Sequence, residues 1–220
     1  MRNERDLSSA VEDYLRAIIE LESRDGRATT SAVAEHLDVS APSASAMAKK
    51  LAELGLVERW PYRGVVLTAR GRRAALELVR HHRLLERYLV ESLGVPLDAV
   101  HEEADRLEHA LSEEVEARID EALGYPTVDP HGDPIPDRDL EVAAAPPRSL
   151  LDLEPGEEAT VARVPSRDAE LLRYLIELAL VPGGAVAVSS LAPFGGPVSV
   201  RTGNGEHAIA RSLAASILVA

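Results

Sequence analysis

The first 68 residues carry helix and hairpin signals whose order restricts the fold more than any other feature of the chain. Ser9-Ala10-Val11-Glu12 fits a capping box, and apolar residues at helical spacing follow it. A second helix is predicted from about Ser31 to Leu37. Ser40 is suited to cap a third helix, which has Pro42 in its first turn and stops at Gly55.

A two-stranded hairpin is predicted to follow, with Leu56–Trp60 and Val65–Thr68 on either side of a turn at residues 61–64. Helices and hairpin in this order are typical of a winged helix-turn-helix. The second helix of that motif enters the DNA major groove, so its exposed face needs small hydrogen-bonding side chains followed by cations. The predicted DNA contacts are Ser40, Pro42, Ser43, Ser45, Lys49, Lys50 and Arg63. The alternative is a Ser-capped surface helix in an ordinary α/β module.

The distribution of charge is compatible with DNA binding, although the net charge of −13 taken alone is not. Residues 1–75 hold 12 basic and 11 acidic side chains, whereas the remainder holds 12 basic and 26 acidic ones. The acidic excess therefore belongs to a different part of the molecule from the predicted DNA-binding segment.

The segment His101-x-x-x-Asp105-x-x-Glu108-His109 places four potential metal ligands on one helix face, at about 100° per residue. Their axial spread of about 12 Å is too long for one ion and indicates two neighbouring sites. Because the chain has no cysteine, a metal must be bound through nitrogen and oxygen. One site would use Asp105, Glu108 and His109, and the other His101 with His82 and Glu86. The alternative is a solvated acidic helix. No clustered partner is evident for His36, His131 and His207, which we expect to be structural or exposed.

The remaining patterns predict a mainly α protein with a small β component. A long helical pattern from about residue 70 to 124 is broken once, at Gly94-Val95-Pro96. Alternating apolar residues in the tail, around one helix near residues 168–178, fit a small β-barrel. We expect a winged helix-turn-helix domain at 1–74, a helical domain at 75–125, a proline-rich linker at 126–147 and the barrel at 148–220.

Several of these segments together resemble the diphtheria toxin repressor family over nearly the whole chain. They are residues 11–15, 40–45, 82–87, the 101–109 motif and Gly132-Asp133-Pro134-Ile135-Pro136. The resemblance implies a winged helix domain, a helical dimerisation and metal-binding domain, and a C-terminal SH3-like barrel. It also implies about two metal ions per subunit. The primary site would use Asp13, Asp105, Glu108 and His109, and the second His82, Glu86 and His101, completed by Asp168 or alternatively Glu170.

Two positions bear on the identity of the metal. Iron-responsive members of the family have a methionine in place of Asp13 and a cysteine in place of Asp105. Hard carboxylates in place of sulfur favour Mn²⁺ over Fe²⁺. The chain differs from compact manganese-responsive members in having Arg16 where they have a further carboxylate.

The resemblance thus implies a manganese-dependent transcriptional repressor that controls metal-ion homeostasis; an iron-dependent repressor is the alternative. A metal-activated homodimer would hold two recognition helices about 34 Å apart on a palindromic operator. No apolar run approaches the roughly 18 residues that span a bilayer, so we expect a cytoplasmic protein without a membrane partner. Neither an enzyme nor a small-molecule substrate is expected, because Glu108 and His109 are adjacent rather than spaced as in di-metal helical enzymes.

Overall fold

The computed structural model describes residues 7–60, 64–144, 146, 148–165 and 168–220. The chain divides into two compact units. The first comprises the chain up to His81 and the segment Pro136–Glu141. The second comprises His82–Ile135 and Val142–Ala220. Arg63, one of the predicted DNA contacts, lies outside the described residues.

Three helices and a hairpin build the first unit in the order that the sequence predicts. They are α1 Ser9–Asp25, α2 Thr30–His36, α3 Ala41–Glu53, β1 Val57–Trp60 and β2 Gly64–Leu67. The two strands pair antiparallel, and fully buried Leu15, Ile18 and Leu51 lie in the core beneath them. This is the winged helix-turn-helix arrangement.

Local signals fix the helix ends in this unit, with one exception. The Ser40 hydroxyl accepts a 3.3 Å hydrogen bond from the Ser43 N–H and caps α3 as predicted. The capping box predicted at Ser9 is wrong, because the N-cap is Ser8 and its side chain makes no capping hydrogen bond. With the cap one residue earlier, Glu12 falls one position beyond the place that a capping box requires.

Three further helices follow. Helix α4 Ala69–Leu93 runs from the first unit into the second, where α5 Val100–Glu108 and α6 Glu113–Ala122 come after it. The predicted break at Gly94 is confirmed. The prediction of a single break is wrong, because α5 and α6 are separate helices and the Ser112 hydroxyl caps α6 by accepting the Val115 N–H.

The C-terminal part of the second unit is an antiparallel sheet of six strands in the order β3-β8-β4-β5-β6-β7. The strands are β3 Arg148–Ser149, β4 Glu158–Arg163, β5 Ala185–Leu191, β6 Val198–Thr202, β7 Gly205–Ile209 and β8 Leu218–Val219. Two helices accompany them, α7 Ala169–Glu177 and α8 Arg211–Ser216. Valines that alternate along β5 and β6 are buried in the core of this domain, as the sequence pattern predicts. Within the described part of the chain, no helix is both long and apolar enough to cross a bilayer.

Candidate metal centre and nucleic-acid interface

The buried imidazole of His82 lies between two sets of potential metal ligands. Its Nδ1 is 2.8 Å from Glu108 Oε2 and 3.3 Å from Asp105 Oδ1. Its Nε2 is 3.0 Å from both Glu86 Oε1 and His101 Nδ1. The spacing on α4 aligns His82 with Glu86, and the spacing on α5 turns His101, Asp105 and Glu108 toward them.

Potential ligand atoms within 4.8 Å of one another form the groups His82–Glu86–His101 and His82–Asp105–Glu108. The first group has the composition that the sequence predicts. The second contains Asp105 and Glu108 of the predicted primary site together with His82. His109 is exposed at the C-terminal end of α5, and its Nε2 is 3.8 Å from Glu108 Oε1. Asp13 belongs to α1 in the first unit and is partly buried.

A third group of ligand atoms, from Glu86, Asp129 and His131, is entirely buried. The expectation that His131 has no clustered partner is therefore wrong. Residues 127–135, in the predicted linker, form a tight turn in which Asp129 Oδ1 accepts the N–H groups of His131 and Asp133, each at 2.9 Å. A usable signal is in the sequence, because Asp129-Pro130-His131-Gly132-Asp133 alternates ligand types with turn-forming residues.

The two ring nitrogens of His131 have different surroundings. Nε2 is 3.3 Å from the Leu97 carbonyl oxygen and donates its proton there. Nδ1 is buried without a hydrogen-bond partner, 3.7 Å from Glu86 Oε2. In this tautomer the Nδ1 lone pair faces a carboxylate oxygen. Two such acceptors are stable side by side when a cation, either a proton or a metal ion, lies between them.

The pKa values of this group follow from its burial. Burial, with the charges of Glu86 and Asp133, raises the pKa of Asp129 to about 7. Burial also acts to raise the pKa of Glu86, but the hydrogen bonds from His101 and His82 and the neighbouring His131 imidazole hold this pKa well below its usual range. For His131 burial acts to lower the pKa, and the neighbouring Glu86 carboxylate outweighs it and raises the pKa. The cluster therefore retains protons that a metal would have to displace.

These residues fit a first-row divalent metal ion. The described groups consist of imidazole nitrogens and carboxylate oxygens, which are ligands for Mn²⁺, Fe²⁺ and Zn²⁺. The unpartnered Nδ1 of His131 is the observation that favours a metal over a set of purely structural hydrogen bonds.

The structure gives Asp168 a local role as the N-cap of α7. Its Oδ1 accepts the N–H groups of Glu170 and Leu171, each at 3.0 Å. Both Asp168 and Glu170 are exposed, and neither belongs to a ligand group found among the described residues. The participation of Asp168 in the second site stays a prediction.

Helix α3 presents the predicted DNA contacts on its exposed side. Ala44, Ala48 and Leu51 are buried in the core of the first unit. The exposed side chains are those of Ser40, Pro42, Ser43, Ser45, Lys49 and Lys50. Lys49 Nζ also lies 3.8 Å from Glu53 Oε1, in an exposed pair that costs little to open.

Three family models match successive parts of the chain. The iron dependent repressor N-terminal DNA binding domain matches residues 6–65. The iron dependent repressor metal binding and dimerisation domain matches residues 68–137, and the FeoA domain matches residues 148–220.

Curated relatives match the whole chain or part of it. The iron-dependent repressor IdeR of Mycobacterium leprae is 33% identical over 227 residues, which cover 97% of this chain and 98% of the relative. The chain belongs to the diphtheria toxin repressor family. The diphtheria toxin repressor of Corynebacterium diphtheriae is 38% identical over 135 residues, 61% of this chain and 60% of the relative. The repressor described here is thus a metal-dependent transcriptional regulator and not an enzyme.

Solved structures share this fold, and two of them are named as manganese regulators. A manganese-dependent transcriptional repressor in complex with manganese has a TM-score of 0.83 at 40% identity, covering 95% of this chain and 98% of its own. The manganese regulator SloR has a TM-score of 0.80 at 32% identity, with coverage of 96% and 97%. The repressor therefore has a DNA-binding domain, a metal-binding and dimerisation domain, and an SH3-like FeoA domain.

Proposed function

We propose that Mn²⁺ activates this repressor, which then binds palindromic operator DNA as a homodimer and controls metal-ion homeostasis. The observation that carries the proposal is the carboxylate of Asp105, whose Oδ1 lies 3.3 Å from His82 Nδ1 in a group completed by Glu108. A carboxylate at this position gives a hard oxygen ligand, which suits Mn²⁺ better than a thiolate would.

The proposed ligands form two sets. By the family resemblance, Asp13 joins Asp105, Glu108 and His109 for one ion. The second ion takes His82, Glu86 and His101, with Asp168 as the predicted completion. The burial and proximity of Asp129 and His131 to Glu86 support adding them to the second set. His82 faces both sets, with its Nδ1 toward Asp105 and Glu108 and its Nε2 toward Glu86 and His101.

Operator binding under anaerobic conditions tests the metal preference. Mn²⁺ and Fe²⁺ are titrated separately against the wild type and an Asp13→Met, Asp105→Cys double variant, with a palindromic duplex as probe. We expect Mn²⁺ to activate the wild type at lower free concentration than Fe²⁺. The double variant should lose about 10-fold or more of its apparent Mn²⁺ affinity and gain relative response to Fe²⁺.

Glu102→Gln is a matched control, because Glu102 is an exposed acid on α5 that pairs with Arg106 at 3.6 Å. It should respond to both metals as the wild type does. Operator binding that is unaffected by either metal in the wild type would remove the metal-activation proposal altogether.

An iron-dependent repressor is the second candidate. It is favoured by the curated relatives that cover 97% of the chain, which are named as iron-dependent repressors. In the same titration this candidate predicts activation of the wild type at lower free Fe²⁺ than Mn²⁺.

A further inference from the structure

The turn that carries Asp129 and His131 is attached to the β-barrel at three consecutive residues. The His131 carbonyl oxygen accepts a 2.9 Å hydrogen bond from the N–H of Val164, just after β4. Gly132, with φ +90°, lies so close to β4 that an added Cβ would be 1.9 Å from the Ala162 carbonyl oxygen. Asp133 Oδ1 is 2.7 Å from Arg163 Nε.

The other side of the same turn faces α4. Arg83 Nε is 3.8 Å from Asp129 Oδ2, and Arg83 Nη2 is 3.7 Å from Asp133 Oδ1. Arg83 also donates a hydrogen bond to the Pro134 carbonyl oxygen. The turn is therefore held between an arginine of the helical part and an arginine of the barrel, and Asp133 contacts both.

Metal ligands need to be held within about 0.5 Å of their productive position, and groups that support ligands commonly change metal affinity by about 10–100-fold. Asp133 is buried, and the Arg163 Nε atom is buried with it and makes no hydrogen bond, so the contact between them is an ion pair shielded from solvent, although the rest of the Arg163 side chain is partly exposed. Such a pair fixes the backbone of residues 131–133 more firmly than an exposed pair would.

We propose that the barrel tunes the second metal site through the turn, with Arg163 as a positioning residue that acts on Asp129 and His131 through Asp133. The inference rests on the proposed metal binding at Glu86, Asp129 and His131. On this inference the barrel influences the metal affinity of the second site without supplying a ligand to it.

The test compares Mn²⁺ binding by full-length, metal-free wild type and Arg163→Gln protein, following the electron paramagnetic resonance signal of free Mn²⁺. The wild type should bind two ions per chain. Arg163→Gln should bind one of them 10–100-fold more weakly and leave the other unchanged. Arg201→Gln is the matched control, because Arg201 also pairs with an acid of β4, Glu158, at 3.4 Å, but both side chains are exposed.

Glu86→Gln identifies the ion concerned, since it removes a proposed ligand directly. If Arg163 acts on that ion, adding Arg163→Gln to Glu86→Gln should cause little further loss. Thermal unfolding without metal shows whether Arg163→Gln is folded. If it is not, Asp133→Asn weakens the same pair from the other side and replaces it in the comparison.

Two ions bound by Arg163→Gln with wild-type affinities would overturn this inference and leave the proposed function standing. A wild type that binds no Mn²⁺ would overturn both. Equal weakening of both ions would also contradict the inference, because it would indicate general destabilisation of the fold.

Discussion

The three residues Glu86, Asp129 and His131 bring two carboxyl groups and an imidazole into a fully buried space. Burial of ionisable groups is unfavourable unless hydrogen bonds or a counter-charge compensate. Two backbone N–H groups satisfy Asp129 Oδ1, whereas His131 Nδ1 has no hydrogen-bond partner. An arrangement that is unfavourable without a cation and favourable with one is suited to sensing that cation.

The Asp129 carboxyl leads to a prediction about the metal-free protein. Its pKa of about 7 lies above the ordinary value of 3.8. The stability that it contributes is therefore fully present below pH 4 and is lost as the pH rises through 7. Between pH 5 and pH 8 this carboxyl should lower the free energy of unfolding of the wild type as the pH rises. Asp129→Asn lacks the titrating group, so we expect its free energy of unfolding to fall by about 2 kcal/mol less over the same range.

Urea unfolding in the presence of a chelator, followed by circular dichroism, measures this difference. Trp60, the one tryptophan of the sequence, lies in β1 and reports on the first unit by fluorescence. Its transition should respond to pH equally in the two proteins. Identical pH dependence of the circular dichroism transition in wild type and variant would contradict the assignment.

Sequence reasoning could identify only some of the residues in the candidate metal centre, and the reason is distance along the chain. His82 with Glu86, and His101 with Asp105 and Glu108, lie at helical spacings that place them on one face. Asp129 and His131 meet Glu86 only through the turn at 127–135, more than 40 residues later in the sequence. No periodicity links residues that far apart, so this part of the centre needed the tertiary structure.

At the scale of the elements, local signals predicted most boundaries, because caps and glycines act within one turn of helix. Ser40 and Gly94 mark helix ends by themselves. The sequence does not reveal the interruption between α5 and α6, because the acidic segment from Glu113 continues the helical pattern without a glycine or proline. Only the Ser112 cap marks the start of α6, and a single serine is a weak signal in an acidic stretch.

Helix α3 gives a prediction at the same scale. Ser40→Ala removes the hydroxyl that accepts the Ser43 N–H, so we expect a loss of about 1 kcal/mol in the free energy of unfolding of the first unit. Trp60 fluorescence during urea unfolding measures it. Ser45→Ala is the matched control, because Ser45 lies on the exposed face inside α3 and alanine is a good helix former. Equal losses in both variants would rule out the capping role.

At the scale of the whole molecule, the distribution of charge differs between the DNA-binding part of the repressor and the rest of the chain. Residues 1–75 are close to neutral, and the 26 acidic side chains beyond them far outnumber the 12 basic ones. Phosphate groups attract the basic side chains of the winged domain and repel the acidic remainder. We therefore expect contact with DNA to be concentrated in the winged domain, while the acidic part of the chain is suited to cations.

If α3 reads the operator as predicted, its short side chains should determine how sequence information is distributed there. The exposed residues of its first two turns are Ser40, Ala41, Pro42, Ser43, Ser45 and Ala46, which offer hydroxyl and methyl groups but no amide or guanidinium fork. Methyl groups favour thymine, and a serine hydroxyl can donate a hydrogen bond to an acceptor on the base edge or accept one from a donor there. Selection from random duplexes should therefore give a long, thymine-rich consensus with modest preference at each position. A short, guanine-rich consensus would mean that groups outside α3 read the bases, and the set of regulated promoters would then depend on them.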